Sequence, residues 1–321
     1  MFDYTVLSPF IQDPMITDIN YNGYDLWCDH LKKGRYKVHS FQFHDQIQQL
    51  AYRFANHVNQ TFNPKTPLVE AQFDGMRWSM IHESITSKIS ISIRKTPMIA
   101  RLSTKSMIKE SYAPAHVIEY LIDAVKNRKN ILVSGLPGAG KTELIKFLTS
   151  AITPYERIIT IEDTLEMHVK ALYPFLDSVS MRVSDQFNYE DAIKAALRQR
   201  PDWILVSEVR SKEVYYLLQS MSTGTHCLST LHASNAKQIP QRLMHMIPGH
   251  DLSYDQMISL IHDAIDIGVH VQSVITKKGI HRCIKEVVLF SLNELNQPHC
   301  EIVYDNSLEL KKIQSEDEAC I

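Results

Sequence analysis

The sequence has no apolar run that approaches the roughly 20 residues needed to cross a bilayer. Near the N-terminus it has an acid, Asp3, where a secretory signal would place basic residues before an apolar stretch. These absences argue against a membrane-spanning chain and against a secreted one. We therefore expect a cytoplasmic protein.

Paired cysteines are also missing. The five cysteines are scattered and none forms a C-x-x-C pair, which argues against a disulfide framework and against a cysteine zinc site. Fifteen histidines are many for this length, but His82-Glu83 has no second histidine at the spacing of a helical zinc motif. We expect reduced thiols and no zinc.

Neither sign of charge is in excess. Lys and Arg number 34 and Asp and Glu number 36, so the net charge of −2 gives no simple electrostatic reason to propose a protein that coats nucleic acid. A hydrophobic fraction of 44% and a charged fraction of 22% are typical of a folded globular protein. With 321 residues, the chain is long enough for two domains.

The first hundred residues mix short alternating segments with one helical stretch, and they contain turn signals such as Asp74-Gly75. Residues 89–93 alternate apolar with polar side chains, as a half-buried strand does. We predict an α+β domain over residues 1–100, followed by a linker over residues 101–112.

From residue 113 onward, short apolar or β-branched runs alternate with helical periodicity, which is the sequence form of a parallel sheet. These runs lie at residues 131–133, 157–161, 204–206 and 227–231, with later ones at 265–269 and 286–290. We predict an α/β domain over residues 113–321 with a parallel-rich sheet, helices on both faces, and a loose tail after Leu308.

One segment matches G-x-x-x-x-G-K-[ST] and lies between a predicted strand and a predicted helix, as a P-loop requires. Its glycines let backbone N–H groups converge on phosphates at a helix N-terminus, where the helix dipole favours negative charge. Lys141 should reach the β- and γ-phosphates of ATP, and Thr142 should bind Mg²⁺. The segment consists of Gly135, Leu136, Pro137, Gly138, Ala139, Gly140, Lys141 and Thr142.

Two acids follow predicted strands. Glu162 comes directly after the strand that ends at Ile161, and Glu208 follows the run 204–207 in the usual form of a Walker B strand. Because carboxylates at the carboxyl ends of parallel strands point into the ligand crevice, we expect both acids near the γ-phosphate.

The chain resembles the secretion ATPases of type II and type IV systems, including their conjugation and tight-adherence pilus branches. The resemblance covers nearly its whole length. Residues 160–163, 198–210 and 230–233 resemble the family's Asp box, Walker B segment and the end of its His box. In the first domain, residues 74–77 and 91–94 resemble its D-G-x-R and S-I-R elements. Residues 13–19 resemble the start of the family's N-terminal domain.

The resemblance implies a RecA-like P-loop ATPase domain and a role for each matching residue. Glu162 would orient the attacking water, Glu208 would hold Mg²⁺, partly through water, and His232 would sense the γ-phosphate. Arginines from the first domain, Arg77 and Arg94, would reach the nucleotide phosphates.

Arg210 is a further candidate for the same neighbourhood. The resemblance also implies a homohexamer at the inner face of the cell membrane, with inner-membrane platform proteins of a secretion, conjugation or pilus machine as partners. No direct sequence-specific contact with nucleic acid is expected.

Three features of the sequence depart from the family pattern. Thr225 followed by His226 stands where most members have the first histidine of the His box, and Ser207 stands where glycine is common. The zinc-binding cysteine quartet of type II assembly ATPases is missing, which favours the conjugative or tight-adherence branches.

Two alternatives remain open. One is a RecA-like nucleic-acid motor, which would need a basic, aromatic-lined channel and which the net charge of −2 disfavours. The other is a nucleotide-binding structural subunit without hydrolysis, for which the altered His box is the only support.

Overall fold

A computed structural model describes residues 2–39, 42–247, 253–276 and 279–310. It divides into two compact units. The first unit comprises Met1–Pro97 and Ile275–Ile280, and the second comprises Met98–Val274 and His281–Ile321. Residues 311–321 of the predicted loose tail lie outside the described residues.

The first unit contains a six-stranded sheet in the order β3-β2-β1-β6-β5-β4, and every neighbouring pair is antiparallel. Its strands are β1 (Ile16–Tyr21), β2 (Leu26–His30), β3 (Gly34–Lys37), β4 (Leu68–Phe73), β5 (Met76–Ile81) and β6 (Ser90–Lys95). Its helices are a 3₁₀ turn (Thr5–Leu7), α1 (Ser8–Gln12) and α2 (His44–His57). The predicted strand at 89–93 corresponds to β6.

Alternation along the strands gives this sheet one apolar and one polar face. In β6, Ile91 and Ile93 are buried while Arg94 is exposed. Helix α2 covers the apolar face, and its Phe54 ring stacks on Trp78 with ring centroids 4.1 Å apart. The other face carries charged side chains, and the candidate site residues Arg77 and Arg94 belong to it.

The second unit contains an eight-stranded sheet in the order β14-β13-β12-β7-β11-β10-β8-β9. Its strands are β7 (Ile131–Ser134), β8 (Arg157–Glu162), β9 (Asp177–Arg182), β10 (Trp203–Val206), β11 (His226–Leu231), β12 (Ile267–Thr276), β13 (Gly279–Leu292) and β14 (Pro298–Asp305). The six strands from β12 to β9 in this order are parallel, whereas β13 and β14 pair antiparallel. The sheet is therefore mixed and mostly parallel.

Helices pack on both faces of this sheet. They are α3 (Thr104–Lys109), α4 (Ala115–Lys126), α5 (Lys141–Thr149), α6 (Val169–Leu172), α7 (Tyr189–Leu197), α8 (Glu213–Ser222), α9 (Ile239–His245) and α10 (Tyr254–Ala264). Helices α3 to α6 share one hydrophobic core with the sheet, and α7 to α10 share the other. The carboxyl ends of β7, β8, β10 and β11 meet at one edge, which is where the predicted site residues follow.

The predicted linker over residues 101–112 needs correction, because part of it is helix α3. Ser103 caps this helix in a capping box with Ser106, and Met107 is fully buried in the core of the second unit. Strands β9 and β14 were not predicted from the sequence. No helix among the described residues is both long and apolar enough to cross a membrane.

Candidate nucleotide site

The segment 135–142 forms the turn between β7 and helix α5, as the motif requires. Gly138 and Gly140 have φ of +75° and +97°, a left-handed conformation that favours glycine. At Gly135 a Cβ atom would collide with the carbonyl oxygen of Val271. The chain therefore needs glycine here both for the backbone turn and for close packing against β12.

Lys141 is buried at the start of helix α5. Its Nζ donates to the carbonyl oxygens of Gly135 and Leu136, at 3.0 and 3.4 Å, and lies 3.3 Å from Nδ1 of His232. Burial lowers the pKa of Lys141, Glu208 raises it in part, and the result stays below the ordinary lysine value. The ammonium group thus sits among acceptors at the mouth of the loop.

His232 follows β11 and connects the P-loop to the Walker B acid. Its Nδ1 lies 2.9 Å from the carbonyl oxygen of Gly135, and its Nε2 lies 2.6 Å from Oε1 of Glu208. The second contact is close, but Oε1 is buried and takes part in no well-aligned hydrogen bond among the described residues. The predicted γ-phosphate sensor is therefore next to both the P-loop and Glu208.

Arg210 extends this cluster to the end of β8. Its guanidinium bonds Oε2 of Glu208 at 2.6 and 2.8 Å and lies 3.3 Å from Oδ2 of Asp163. Burial alone would lower the pKa of Arg210, but Glu208 and Asp163 together raise it above the ordinary value. A continuous chain of contacts runs from Lys141 through these side chains to Asp163, across the ends of four strands.

Glu162 does not join this chain of contacts. Its side chain is fully buried, and Oε2 accepts the backbone N–H groups of Glu166 and Met167 at 2.8 and 2.9 Å. Oε1 accepts the hydroxyl of Thr160 at 3.2 Å. Burial raises the pKa of Glu162, and these hydrogen bonds lower it only in part. The structure thus ties Oε2 to the loop that follows β8 and Oε1 to Thr160 of β8 itself.

Arg77 and Arg94 lie in the first unit. They face each other across β5 and β6, so they share the polar face of that sheet. Arg94 Nε donates to Asp18 at 2.9 Å, and Arg77 lies 3.8 Å from Glu70. The two arginines form a cationic pair, and their contact with the phosphates stays a prediction.

The altered start of the His box lies away from this cluster. Thr225 precedes β11 and His226 begins it, whereas His232 follows its end, about 20 Å away along a six-residue strand. His226 packs instead on Trp203, with ring centroids 5.4 Å apart, and burial lowers its pKa. The presence of Thr225 where most family members have a histidine therefore removes no side chain from the P-loop edge of the sheet.

Two members of the neighbourhood were not assigned from the sequence. Asp163 belongs to the predicted Asp box, residues 160–163, but was given no role, and its contact with Arg210 cannot be read from spacing. Arg282, on β13, donates to the carbonyl oxygen of Gly138 at 3.1 Å, and no motif marks it. Beside the loop, a cavity of about 450 Å³ is lined by Gly135 and His232, among others. This volume is within the range of small-molecule sites.

Comparison with known proteins decides the family. The family model described as "Type II/IV secretion system protein" matches residues 75–301, which is more than half of the chain. The chain belongs to this family. A Bacillus anthracis protein described as uncharacterized is 33% identical over 311 residues, which cover 94% of this chain and 70% of the relative. The type IV secretion system protein VirB11 of Bartonella quintana is 28% identical, covering 84% of this chain and 87% of VirB11.

Among solved structures, the pilus retraction motor PilT with bound ADP matches 99% of this secretion-family chain and 90% of PilT, with a TM-score of 0.64 and 20% identity. At that identity the likeness supports the fold. The predicted family, and with it the predicted class of secretion or pilus ATPase, is confirmed.

Proposed function

We propose that this ATPase is the homohexameric motor of a type IV secretion, conjugation or pilus machine, and that it converts ATP hydrolysis into movement. The observation that carries the proposal is the chain of contacts from Lys141 of the P-loop through His232, Glu208 and Arg210 to Asp163. These contacts link the P-loop to the loop that follows β8. The family match favours this proposal over a nucleic-acid motor.

The P-loop side chains and backbone would bind ATP. Backbone N–H groups at the start of α5 would face the phosphates, and the helix dipole would favour their charge. Lys141 would exchange its carbonyl acceptors for β- and γ-phosphate oxygens. Because Lys141 Nζ contacts Nδ1 of His232, a shift of Lys141 toward the phosphates would change the surroundings of His232 directly. His232 would in this way report the γ-phosphate.

Thr142 and Glu208 fit a magnesium site. Both supply oxygen ligands, which Mg²⁺ prefers, and Oε1 of Glu208 is a buried carboxylate oxygen that the described part of the chain leaves without an aligned hydrogen bond. When bound, Mg²⁺ would neutralise charge on the β- and γ-phosphates. Arg210, which holds the other oxygen of Glu208, would keep the carboxylate in place.

For Glu162 we propose a positioning role. The family resemblance implies that it orients the attacking water, but its carboxylate is buried, with Oε1 bonded by Thr160 of β8 and Oε2 bonded by the loop that follows β8. By holding the N–H groups of Glu166 and Met167, it fixes the loop that begins with Asp163. The loop then presents Asp163 to Arg210.

Arg77 and Arg94 would stabilise phosphate charge from the first unit. Since they stand more than 35 residues before Lys141 in a separate compact unit, their action requires that unit to close over the nucleotide. In a ring of subunits, each such closure would shift a neighbour. We further propose that the ring works at the cytoplasmic face of the membrane, on inner-membrane platform proteins.

The proposal is tested by turnover and by assembly of the purified chain. We expect magnesium-dependent ATP hydrolysis and a hexamer that a non-hydrolysable ATP analogue favours, measured by light scattering after size exclusion. A chain that stays monomeric at micromolar concentration with the analogue, or that hydrolyses no ATP, would contradict the motor.

A further inference from the structure

The strand order separates two sides of the P-loop. Strands β11, β10 and β8, which lead to His232, Glu208 and Asp163, lie on one side of β7, and β12 and β13 lie on the other. Lys141 contacts His232 on the first side, so the γ-phosphate end of a nucleotide belongs there. The nucleoside end must therefore extend toward β12 and β13.

On that second side, Arg282 lies against the rim of the P-loop. Its Nε donates to the carbonyl oxygen of Gly138 at 3.1 Å, and its Cδ would lie 3.7 Å from a Cβ atom at Gly140. The side chain is partly buried. The guanidinium is thus anchored to the loop that holds the phosphates, at the end away from His232.

A second arginine, Arg101, acts on the charge of the first. Arg101 precedes α3, its backbone N–H donates to Glu143 at 3.3 Å, and its side-chain Nε is buried with no hydrogen-bond partner among the described residues. Glu143, which accepts this N–H group, also forms an ion pair with Lys146 at 3.0 Å. Burial and, after it, the charge of Arg101 lower the pKa of Arg282. Because the two positive charges disfavour each other, a bound anion would stabilise both.

We propose that Arg282, with Arg101 beside it, forms the subsite for the α-phosphate of the bound nucleotide. The inference rests on the proposed function, since it takes ATP as the ligand of the P-loop. A guanidinium presents several N–H donors in a plane and forms short, charge-assisted hydrogen bonds with phosphate oxygens. An α-phosphate would also relieve the repulsion between the two arginines.

Binding of two nucleotides to the full chain tests the subsite. ADP and the non-hydrolysable analogue AMP-PNP are titrated by calorimetry into wild type and Arg282→Gln. Because both ligands carry an α-phosphate, we expect the variant to weaken both by the same factor, about tenfold, as for loss of one charged hydrogen bond. His232→Ala, on the γ side, should weaken AMP-PNP more than ADP. Arg182→Gln, which removes an exposed arginine on the far edge strand β9, is the matched control and should bind as wild type does.

Unchanged affinities in Arg282→Gln, or a loss confined to AMP-PNP, would overturn the subsite. If thermal unfolding shows that this variant does not fold, Arg282→Lys and Arg101→Gln take its place. Each should weaken both ligands by the same factor. Unchanged affinities, or a loss confined to AMP-PNP, would again overturn the subsite. Wild-type protein that binds neither nucleotide would refute the proposed function itself.

Discussion

Replacing Glu162 with alanine should lower stability, whereas replacing it with glutamine should not. Oε2 accepts two backbone N–H groups and Oε1 accepts the Thr160 hydroxyl. A glutamine of the same shape keeps an oxygen for both N–H groups, and its amide N–H₂ can donate to the Thr160 hydroxyl. Alanine keeps none of these partners. The pair of variants therefore separates the charge of Glu162 from its hydrogen bonds.

The magnitude for alanine follows from the two orphaned donors. A buried donor without a partner costs about 1–3 kcal/mol, so two of them cost on the order of 3 kcal/mol, before the cavity left by the side chain is added. Glutamine avoids this cost and also removes a charge from a fully buried site. We expect Glu162→Gln to unfold at the wild-type temperature or above, and Glu162→Ala clearly below it, in thermal unfolding followed by circular dichroism.

Stability should also depend on pH in a defined direction. Because burial raises the pKa of Glu162 above the ordinary value of 4.5, the folded chain binds this proton more tightly than the unfolded chain does. The stability that Glu162 contributes is thus fully present at pH values below its ordinary pKa of 4.5. It is lost as pH rises through the raised pKa of the folded chain. Glutamine does not titrate. The stability of Glu162→Gln relative to wild type should therefore increase with pH from about 4.5 upward and then level off.

ATP turnover of the same two variants tests the positioning role. If Glu162 acts by holding its loop, Glu162→Gln keeps most of the wild-type turnover and Glu162→Ala loses most of it. A stable Glu162→Gln protein that binds nucleotide but turns over roughly 10²-fold more slowly would refute this reasoning. That result would show that the carboxylate itself acts on the attacking water.

The remaining expectations concern the phosphate contacts. Lys141→Ala should abolish most hydrolysis in a coupled phosphate-release assay, because it deletes the charged side chain of the P-loop; near wild-type turnover would exclude the site. Arg94→Ala should lower turnover without lowering the unfolding temperature, since an exposed ion pair contributes little to stability. Arg35→Ala, an equally exposed arginine on the same sheet, is its control and should hydrolyse ATP normally, whereas equal rates in both variants would remove Arg94 from the mechanism.

The second unit was predictable where local pattern and burial agree. The runs at 131–133, 204–206 and 227–231 are strands because their side chains are buried on both faces, which leaves a continuous apolar signal. Strand β14 gives no such signal, since it is an edge strand with almost every side chain exposed. Its pairing with β13 is a tertiary contact that no local sequence pattern specifies.

The site was predictable in its parts more than in its contacts. The P-loop is specified by its own residues, because glycines at fixed positions and a following helix are local requirements. The direction of the Glu162 side chain depends on N–H groups four and five residues later, in a loop whose conformation the motif does not encode. Arg282 reaches Gly138 from 144 positions away, through the order of strands in the sheet.

The protein acceptors around Lys141 also bear on product release. The ammonium group has the carbonyl oxygens of Gly135 and Leu136 within 3.0 and 3.4 Å, so a departing phosphate has a replacement already in position. A buried cation without any acceptor would cost several kcal/mol, and that penalty would slow the loss of ADP. Here the carbonyl oxygens of the P-loop accept hydrogen bonds from Lys141. In the proposed motor, nucleotide binding would be an exchange between two sets of oxygens, which would lower affinity and free the site for another cycle.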